Sequence, residues 1–326
     1  MAKVVVTGGN GFIGGHLVSR LAARGDDVTV FDPGPVPPDL AVPGVRYATG
    51  DIRDPDAVAA AIPLDVDVVY HMAAVVGVDR YLSTPLDVVD INVIGTRHVL
   101  DRAGRAGAKL VLASSSEVFG RNPAVPWSET ADRVLGPTGT DRWVYSTSKA
   151  MAEHLVFGFA AAHGLPVTVV RYFNAYGPRQ RPAFVVSRTI HRALRGLSPV
   201  VYDDGGQTRC FTYIEDLIDA TVAAANDPKA DGESFNVGSS VETPVRSVVE
   251  LITELTGVPP TVVPVDTRER LGDRYQDLTR RVPDTAKAAE ILGWEITTPL
   301  EEGVRRTIDW ARDNPWWLAL PDSGLS

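Results

Sequence analysis

Two short stretches of the chain carry side chains that could pass protons to and from a hydroxyl-bearing substrate. In LASSSEVFG, Leu112 to Gly120, an apolar run turns polar through Ser114, Ser115 and Ser116 and then places Glu117 before another apolar pair. A carboxylate at the mouth of a core strand is costly unless something holds it there, so Glu117 calls for a partner or a task. In YSTSK, Tyr145 to Lys149, a tyrosine and a lysine stand four residues apart and share one face of a helix. An ammonium beside a phenol favours phenolate, so the spacing predicts a tyrosine that works as a base well below its free pKa of about 10. A Tyr–Lys pair alone is common on helix surfaces. Ser115, at the end of the preceding strand, supplies the third member of a proton-transfer set.

A third stretch binds rather than reacts. TGGNGFIGGHL, Thr7 to Leu17, follows a strand and opens a helix, with Gly8, Gly11 and Gly14 in the spacing G-x-x-G-x-x-G. Glycines there allow a tight turn, close approach of backbone to a pyrophosphate, and close helix–strand packing, while the helix N-terminus offers free N–H groups to the phosphates. Asp32 ends the second strand about 20 residues on, as the dinucleotide fingerprint expects. It would accept hydrogen bonds from the adenosine ribose and repel a 2′-phosphate, which favours NAD over NADP. Asp51-Ile52 at the end of the third strand could meet the adenine amino group, and HMAA, His71 to Ala74, ends the fourth with small residues that admit the pyrophosphate. Lys149 can also donate to the nicotinamide ribose.

The elements needed to position these groups are legible in the periodicity. Strands are predicted at Lys3–Thr7, Asp27–Asp32, Val45–Gly50, Asp67–His71, Lys109–Ser114 and Pro166–Tyr172. Helices fall near Phe12–Arg24, Pro55–Ala61, Leu86–Ala106 and Val144–His163. Such alternation makes a doubly wound parallel sheet covered on both faces, a Rossmann architecture. After Gly177 the pattern loosens into helix Ala183–Arg195, strand Pro199–Tyr202, helix Ile214–Asn226, strand Ser234–Val237, helix Pro244–Thr256, and closing helices near Asp284–Leu292 and Leu300–Asn314. The expected organisation is an NAD-binding domain over residues 1–177, with return segments near 210–240, and a smaller, mainly substrate-binding region over 178–326.

Composition narrows the function. Of 326 residues 44% are hydrophobic and 22% charged, ordinary for a soluble globular protein. Apolar runs stop far short of a membrane span and no secretory signal precedes the first motif. One cysteine, Cys210, excludes an internal disulfide framework and fits a reducing cytoplasm. A formal charge of -9 argues against nucleic-acid binding. The six histidines show no metal-ligand spacing.

TGGNGFIG, HMAA, SSSEVFG, YSTSK and RYFNAYGP, with QTRCFTYIEDL and LGW…TPLEEGV further on, resemble the extended short-chain dehydrogenase/reductases that act on nucleotide sugars, over nearly the whole chain. The resemblance implies a Ser115–Tyr145–Lys149 triad and a tightly bound, recycled NAD. It implies cofactor contacts from Gly8, Asn10, Gly11, Phe12, Ile13, Gly14, Asp32, Asp51, Ile52, Ala73, Ala74, Asn92, Ser114 and Tyr172, besides Tyr145 and Lys149. For the nucleotide sugar it implies Tyr81, Asn174, Arg209, Arg270 and Tyr275. In simple 4-epimerases of this family the position of Glu117 is usually not acidic. In 4,6-dehydratases an Asp-Glu or Ser-Glu pair moves protons, and in UDP-glucuronate decarboxylases the run is Thr-Ser-Glu, which Ser115-Ser116-Glu117 matches with its hydroxyl kept. DRYQDLTRRVP, Asp273 to Pro283, and Arg142-Trp143 ahead of YSTSK resemble the bacterial decarboxylase domain that prepares the aminoarabinose precursor, whose formyltransferase domain has no counterpart here. By that resemblance Arg281 sits at the sugar, and Ser116, Glu117 and Arg281 serve decarboxylation.

The reading is thus an NAD-dependent UDP-glucuronate decarboxylase of the UDP-xylose synthase type, with a nucleotide-sugar 4,6-dehydratase and a uronate or hexose 4-epimerase as alternatives. A cofactor-binding regulator without turnover is disfavoured, because a sensor has no need of a base. Relatives pair the helices matching Leu86–Ala106 and Val144–His163 across a two-fold axis, which implies a homodimer.

Overall fold

The computed structural model describes residues 1–37, 40–77, 83–258, 262–271 and 278–322. Tyr81 and Tyr275, both expected at the substrate, lie outside the described residues. Seven parallel strands form the central sheet: β1 (Lys3–Thr7), β2 (Asp27–Asp32), β3 (Arg46–Thr49), β4 (Val68–His71), β5 (Lys109–Ser115), β6 (Val167–Tyr172) and β7 (Glu233–Val237). Their order is β7–β6–β5–β4–β1–β2–β3. The direction of winding reverses between β1 and β4, and in open sheets of this kind ligands bind at the carboxyl ends of the strands beside such a reversal.

Both faces of the sheet are apolar because both are covered. Val4, Val6, Val28 and Val30 pack on one side with Leu17 and Leu21 of α1 (Phe12–Ala23). Their alternates Val5, Phe31 and Val69 face Val99 and Val156 on the other. Each such side chain contributes roughly 1.5–3 kcal/mol on burial. Short helix α2 (Pro55–Ala61) follows β3. The region predicted as one helix, Leu86–Ala106, is helical throughout, as α3 (Pro85–Val89), a π-turn (Asp90–Gly95) and α4 (Thr96–Ala106) in direct succession. This segment packs closely on its neighbours: a Cβ on Gly95 would lie 2.5 Å from Ile52 Cδ1, and Asn92 Oδ1 accepts Val75 N at 2.9 Å.

Helix α5 (Arg142–His163) starts two residues before the predicted Val144 and ends at Gly164 in the left-handed conformation, φ 64°. Strand β7, predicted from Ser234, enters the main sheet at its edge with Ser234 beside Val169 of β6. Helix α6 (Val185–Leu194), α7 (Ile214–Asn226), α8 (Val245–Thr256) and three two-stranded pairings build the remaining region. Among the described residues no helix is long and apolar enough to cross a membrane, and no group of three His, Cys, Asp or Glu is placed to hold a metal.

Candidate active site

The groove at the end of β1 is shaped by backbone. Gly8 has φ 70°, and a Cβ there would stand 2.6 Å from Ala73 N; a Cβ on Gly14 would stand 2.2 Å from Gly8 O. No residue but glycine fits either place, so the turn, the start of α1 and the HMAA segment close to backbone contact. Gly11 caps α1 in extended conformation with no side-chain cap, which leaves the first N–H groups free for an anion. Phe12 and Ile13 in the first helical turn pack against the core.

At the end of β2, Asp32 lies over this turn. Its oxygens accept Asn10 N at 3.2 Å and Gly34 N at 3.1 Å, and burial raises its pKa against those bonds. Asn10 Nδ2 donates to Gly34 O at 2.7 Å, while its buried Oδ1 has no hydrogen-bond partner. A glycine cradle, an uncapped helix start and a carboxylate at the neighbouring strand end fit a dinucleotide with a free 2′-hydroxyl.

The other expected cofactor residues are placed unevenly. Strand β3 stops at Thr49, so Asp51 follows the strand rather than ending it, and Arg53 holds its carboxylate and lowers its pKa through contacts of 2.6 to 3.0 Å. Ile52 is core, beneath Gly95. Ala73 N donates to Thr7 Oγ1 at 3.3 Å, with Ala74 next in the same segment. The hydroxyls of Ser114 and Tyr172 are already engaged. Ser114 donates to Glu153 Oε1 at 2.5 Å, and Tyr172 meets Thr221 Oγ1 at 2.7 Å and Met72 sulfur at 3.9 Å. Their place at the cofactor would therefore be made by backbone.

His71 ties the groove to the π-turn. Thr96 Oγ1 gives its one proton to Asn92 O at 2.7 Å, so it accepts from His71 Nε2 at 2.9 Å. Nδ1 is then left to accept from Thr7 Oγ1 at 2.7 Å. Burial, with Lys149 nearby, pushes the imidazole down to about 3 and keeps it neutral. Asn92 Nδ2 donates on to Ser148 Oγ at 3.0 Å, and Ser148 to Tyr145 O at 2.9 Å, so the network reaches α5.

Ser115, Tyr145 and Lys149 come together where β5 meets α5. Ser115 hydrogen-bonds the Tyr145 phenol and accepts Glu117 N at 3.2 Å. The predicted electrostatics need correction. Lys149 Nζ donates to Ala113 O at 2.8 Å, and burial lowers its pKa to about 8. The Tyr145 pKa is raised, by burial and then by the Glu117 charge; Ser115, Arg142 and Arg281 work against that rise. Ser115, Arg142 and Arg281 favour phenolate here, while Lys149 spends one of its N–H groups on the Ala113 carbonyl.

Beside the phenol lies a buried charge cluster. Ser116, 2% exposed, begins the short turn Ser116–Phe119. Glu117 is met by Arg142 at both oxygens, 2.8 Å to Oε1 and 2.6 Å to Oε2, and by Arg281 at Oε1, 2.5 Å. Ser146 Oγ donates to Oε2 at 3.4 Å. Burial alone would raise this carboxyl; Arg142, Arg281 and, behind them, Arg209 overcome it and hold it at about 2. Arg209 is buried and donates to Thr208 O at 2.7 Å. Asn174, at φ 37°, donates to Cys210 O at 3.3 Å in the adjoining segment. Arg270 is exposed on the helix Thr267–Leu271 and so stands outside the buried cluster.

Arg142, 1% exposed, is the member that sequence reasoning left without a role. A signal existed: it precedes Tyr145 by three residues, one helical turn away on the same face. Also missed was the pair behind the site, where Arg171 meets Glu153 through two bonds of 2.9 and 2.7 Å and so fixes the acceptor of Ser114.

Residues 4–238 match the family model described as the NAD dependent epimerase/dehydratase family. The chain is 37% identical over 330 residues to UDP-N-acetyl-alpha-D-glucosaminuronate decarboxylase of Bacillus cytotoxicus, covering 95% of this chain and 98% of that protein. It is 34% identical over 325 residues to UDP-glucuronic acid decarboxylase 1 of Xenopus tropicalis, covering 95% and 72%. Among solved structures, UDP-glucose 4-epimerase from Thermotoga maritima with UDP-glucose superposes with a TM-score of 0.88 at 30% identity, covering 96% of this chain and 99% of that one.

Proposed function

The chain belongs to the NAD dependent epimerase/dehydratase family, and from that premise we propose that it decarboxylates UDP-glucuronate through a 4-keto intermediate. The observation that carries this is the Arg142–Glu117–Arg281 cluster next to Tyr145. Two guanidiniums share one carboxylate there, so a substrate carboxylate would give Arg281 an anion of its own, which a neutral hexose cannot offer. The two decarboxylase relatives support the same reading.

Bound NAD would supply the acceptor for the C4 hydride and, with its positive nicotinamide, a charge that offsets the raised pKa and favours phenolate at Tyr145. Tyr145, oriented by Ser115, takes the proton of the sugar 4-hydroxyl, and Lys149 stands on the same helix face to hold a ribose. The resulting 4-ketone lies β to the C6 carboxylate, so the electrons released with carbon dioxide are stabilised as an enolate. Glu117, ionised at about 2, has no proton to give at neutral pH. Reprotonation at C5 therefore falls to the Ser116 hydroxyl or to a water held by Ser116 and Arg281. In this reading Asn174 and Arg209 face the nucleotide diphosphate.

A homodimer is part of the proposal. Leu86, Val89 and Ile94 along α3 and the π-turn, and Met151 on α5, are apolar and exposed, and a second copy would cover them. Light scattering at micromolar concentration should report a dimer. The catalytic reading is tested by supplying the purified protein with UDP-glucuronate and with UDP-N-acetylglucosaminuronate and following carbon dioxide. Release from either supports the uronate reading, and the faster of the two names the substrate. Inversion at C4 or dehydration of a neutral hexose, with no carbon dioxide from the uronates, overturns it.

A further inference from the structure

The two arginines on Glu117 are not equivalent. Arg142 belongs to the first turn of α5, has a side chain 1% exposed, and touches both carboxylate oxygens. Arg281 has a side chain 12% exposed and is recorded against one oxygen. Its backbone is clipped down on either side: Thr208 N donates to Thr279 O at 2.9 Å, Trp127 N to Val282 O at 2.9 Å, and Asp284 N to Trp127 O at 2.8 Å. Its neighbour Arg280 pairs the other way, with Glu242, through two bonds of 2.7 Å. The guanidinium of Arg281 can therefore change partner while its backbone stays in place.

The pairing shows what such a change requires. Arg142 and Arg281 share the Glu117 carboxylate, and a uronate carboxylate would offer Arg281 an anion of its own. If Arg281 turns to the substrate, Glu117 keeps Arg142 and the Ser146 hydroxyl. Without Arg142 the same move would strand a buried carboxylate with no cation in contact, which is strongly unfavourable. The other groups facing Glu117 do not replace it: Tyr145 and Ser146 on α5 are uncharged, and Arg209 acts on it from the strand Thr208–Arg209 at longer range.

We infer that Arg142 is a positioning residue that holds Glu117 as a fixed anion, so that Arg281 is released to pair with the substrate carboxylate. The inference rests on the uronate reading above. It makes an unusual demand: in a chain lacking Arg142, Glu117 becomes a competitor of the substrate for Arg281, and removing the Glu117 charge should repair the damage.

Calorimetric titration of the NAD-loaded protein tests this, with UDP-glucuronate and with UDP-xylose, which lacks the carboxylate. Arg142→Met should weaken UDP-glucuronate binding by roughly tenfold or more and leave UDP-xylose binding unchanged. Adding Glu117→Gln to Arg142→Met should restore UDP-glucuronate binding most of the way. Arg142→Lys, which keeps the charge, should retain the preference for UDP-glucuronate and stands in if Arg142→Met does not fold. Equal loss for both ligands in Arg142→Met, a double variant that binds UDP-glucuronate more weakly than the single one, or an Arg142→Lys protein with no preference would each overturn the inference. A wild-type protein that binds the two nucleotides alike would remove the uronate reading itself, a failure visible before any variant is made.

Discussion

The two ends of the proposed active groove, one for the cofactor and one for the sugar, are built from different materials. At the cofactor end the surface is main chain: Gly8 and Gly14 bring three segments to backbone contact, and the first helical N–H groups have no side-chain cap. At the sugar end the surface is side chain: Glu117, Arg142, Arg209 and Arg281 come from four distant parts of the sequence and are held by charge. A backbone-built site tolerates almost no change at a few positions. A charge-built site tolerates exchange of partners, provided that the count of charges is kept. The first suits a cofactor that is common to a family, the second a substrate by which its members differ.

The contrast predicts that substitutions at the sugar end stop chemistry while cofactor binding survives. The largest effect should come from Tyr145→Phe, which removes a general base with little change in shape. Formation of reduced nicotinamide on adding substrate should fall about 10²–10⁴-fold, with NAD affinity and thermal midpoint unchanged. A variant that reduces its cofactor at near the wild-type rate would show that Tyr145 is not the base. Next comes Glu117→Gln, for which we expect a drop in carbon dioxide release of roughly 10²-fold. Unlike the tyrosine variant it should also lower the thermal midpoint, since Arg142 and Arg281 would then face each other without a shared anion. An unchanged midpoint would mean that the cluster is not the ion-paired unit described.

Gly14→Ala should show the converse. Its Cβ would overlap Gly8 O at 2.2 Å, an overpacking that costs about 1–3 kcal/mol. Calorimetry should find weaker NAD binding, and denaturant unfolding a lower stability. Normal NAD affinity in this variant would break the claim that backbone shapes the cofactor end.

The smallest effect is a pH dependence that separates the two ends. His71 is held at about 3 against an ordinary value of 6.5, so below 6.5 the unfolded chain takes up a proton that the folded chain refuses. Stability should decline as pH falls from 6.5, by up to about 1.4 kcal/mol per unit. Glu117, held at about 2 against 4.5, contributes stability that is fully present above 4.5 and lost as pH falls below it. Urea unfolding between about pH 7.5 and 5 therefore reads the cofactor end, and His71→Asn should flatten the slope there. A slope unchanged by that substitution would assign the acid sensitivity to other groups.

The same difference in materials explains what the sequence disclosed. Backbone approach needs glycine at fixed spacing, so Gly8, Gly11 and Gly14 are visible in a single line of text, as is the strand–helix alternation around them. Ser115, Tyr145 and Lys149 are legible for a related reason, since each sits at a strand end or one turn apart on a helix. Arg142 is harder to read as a partner of Glu117: its place one turn before Tyr145 is visible, but its pairing with Glu117 appears only when the fold brings β5 beside α5. Nor could periodicity reveal the π-turn at Asp90–Gly95. The segment packs on Ile52 and bonds to Val75, contacts that no local pattern contains. Nor does the Tyr–Lys spacing disclose the phenol pKa, which burial and the Glu117 charge raise.

The seventh strand has a consequence for how the molecule is made. Strand β6, VTVVRY, is buried along its whole length and hydrogen-bonds β5 on one side and β7 on the other. A ribosome exposes Val167–Tyr172 some sixty residues before Glu233–Val237 exists. Throughout that interval the nascent sheet ends in an apolar strand with a free row of amides and carbonyls, the kind of edge that recruits strands from other chains. Genetic truncation after Gly177 would make that passing state permanent, and the fragment should collect in inclusion bodies. Stopping after Gly238 closes the edge, so the shortest soluble form of the nucleotide half must carry much of the sugar half with it.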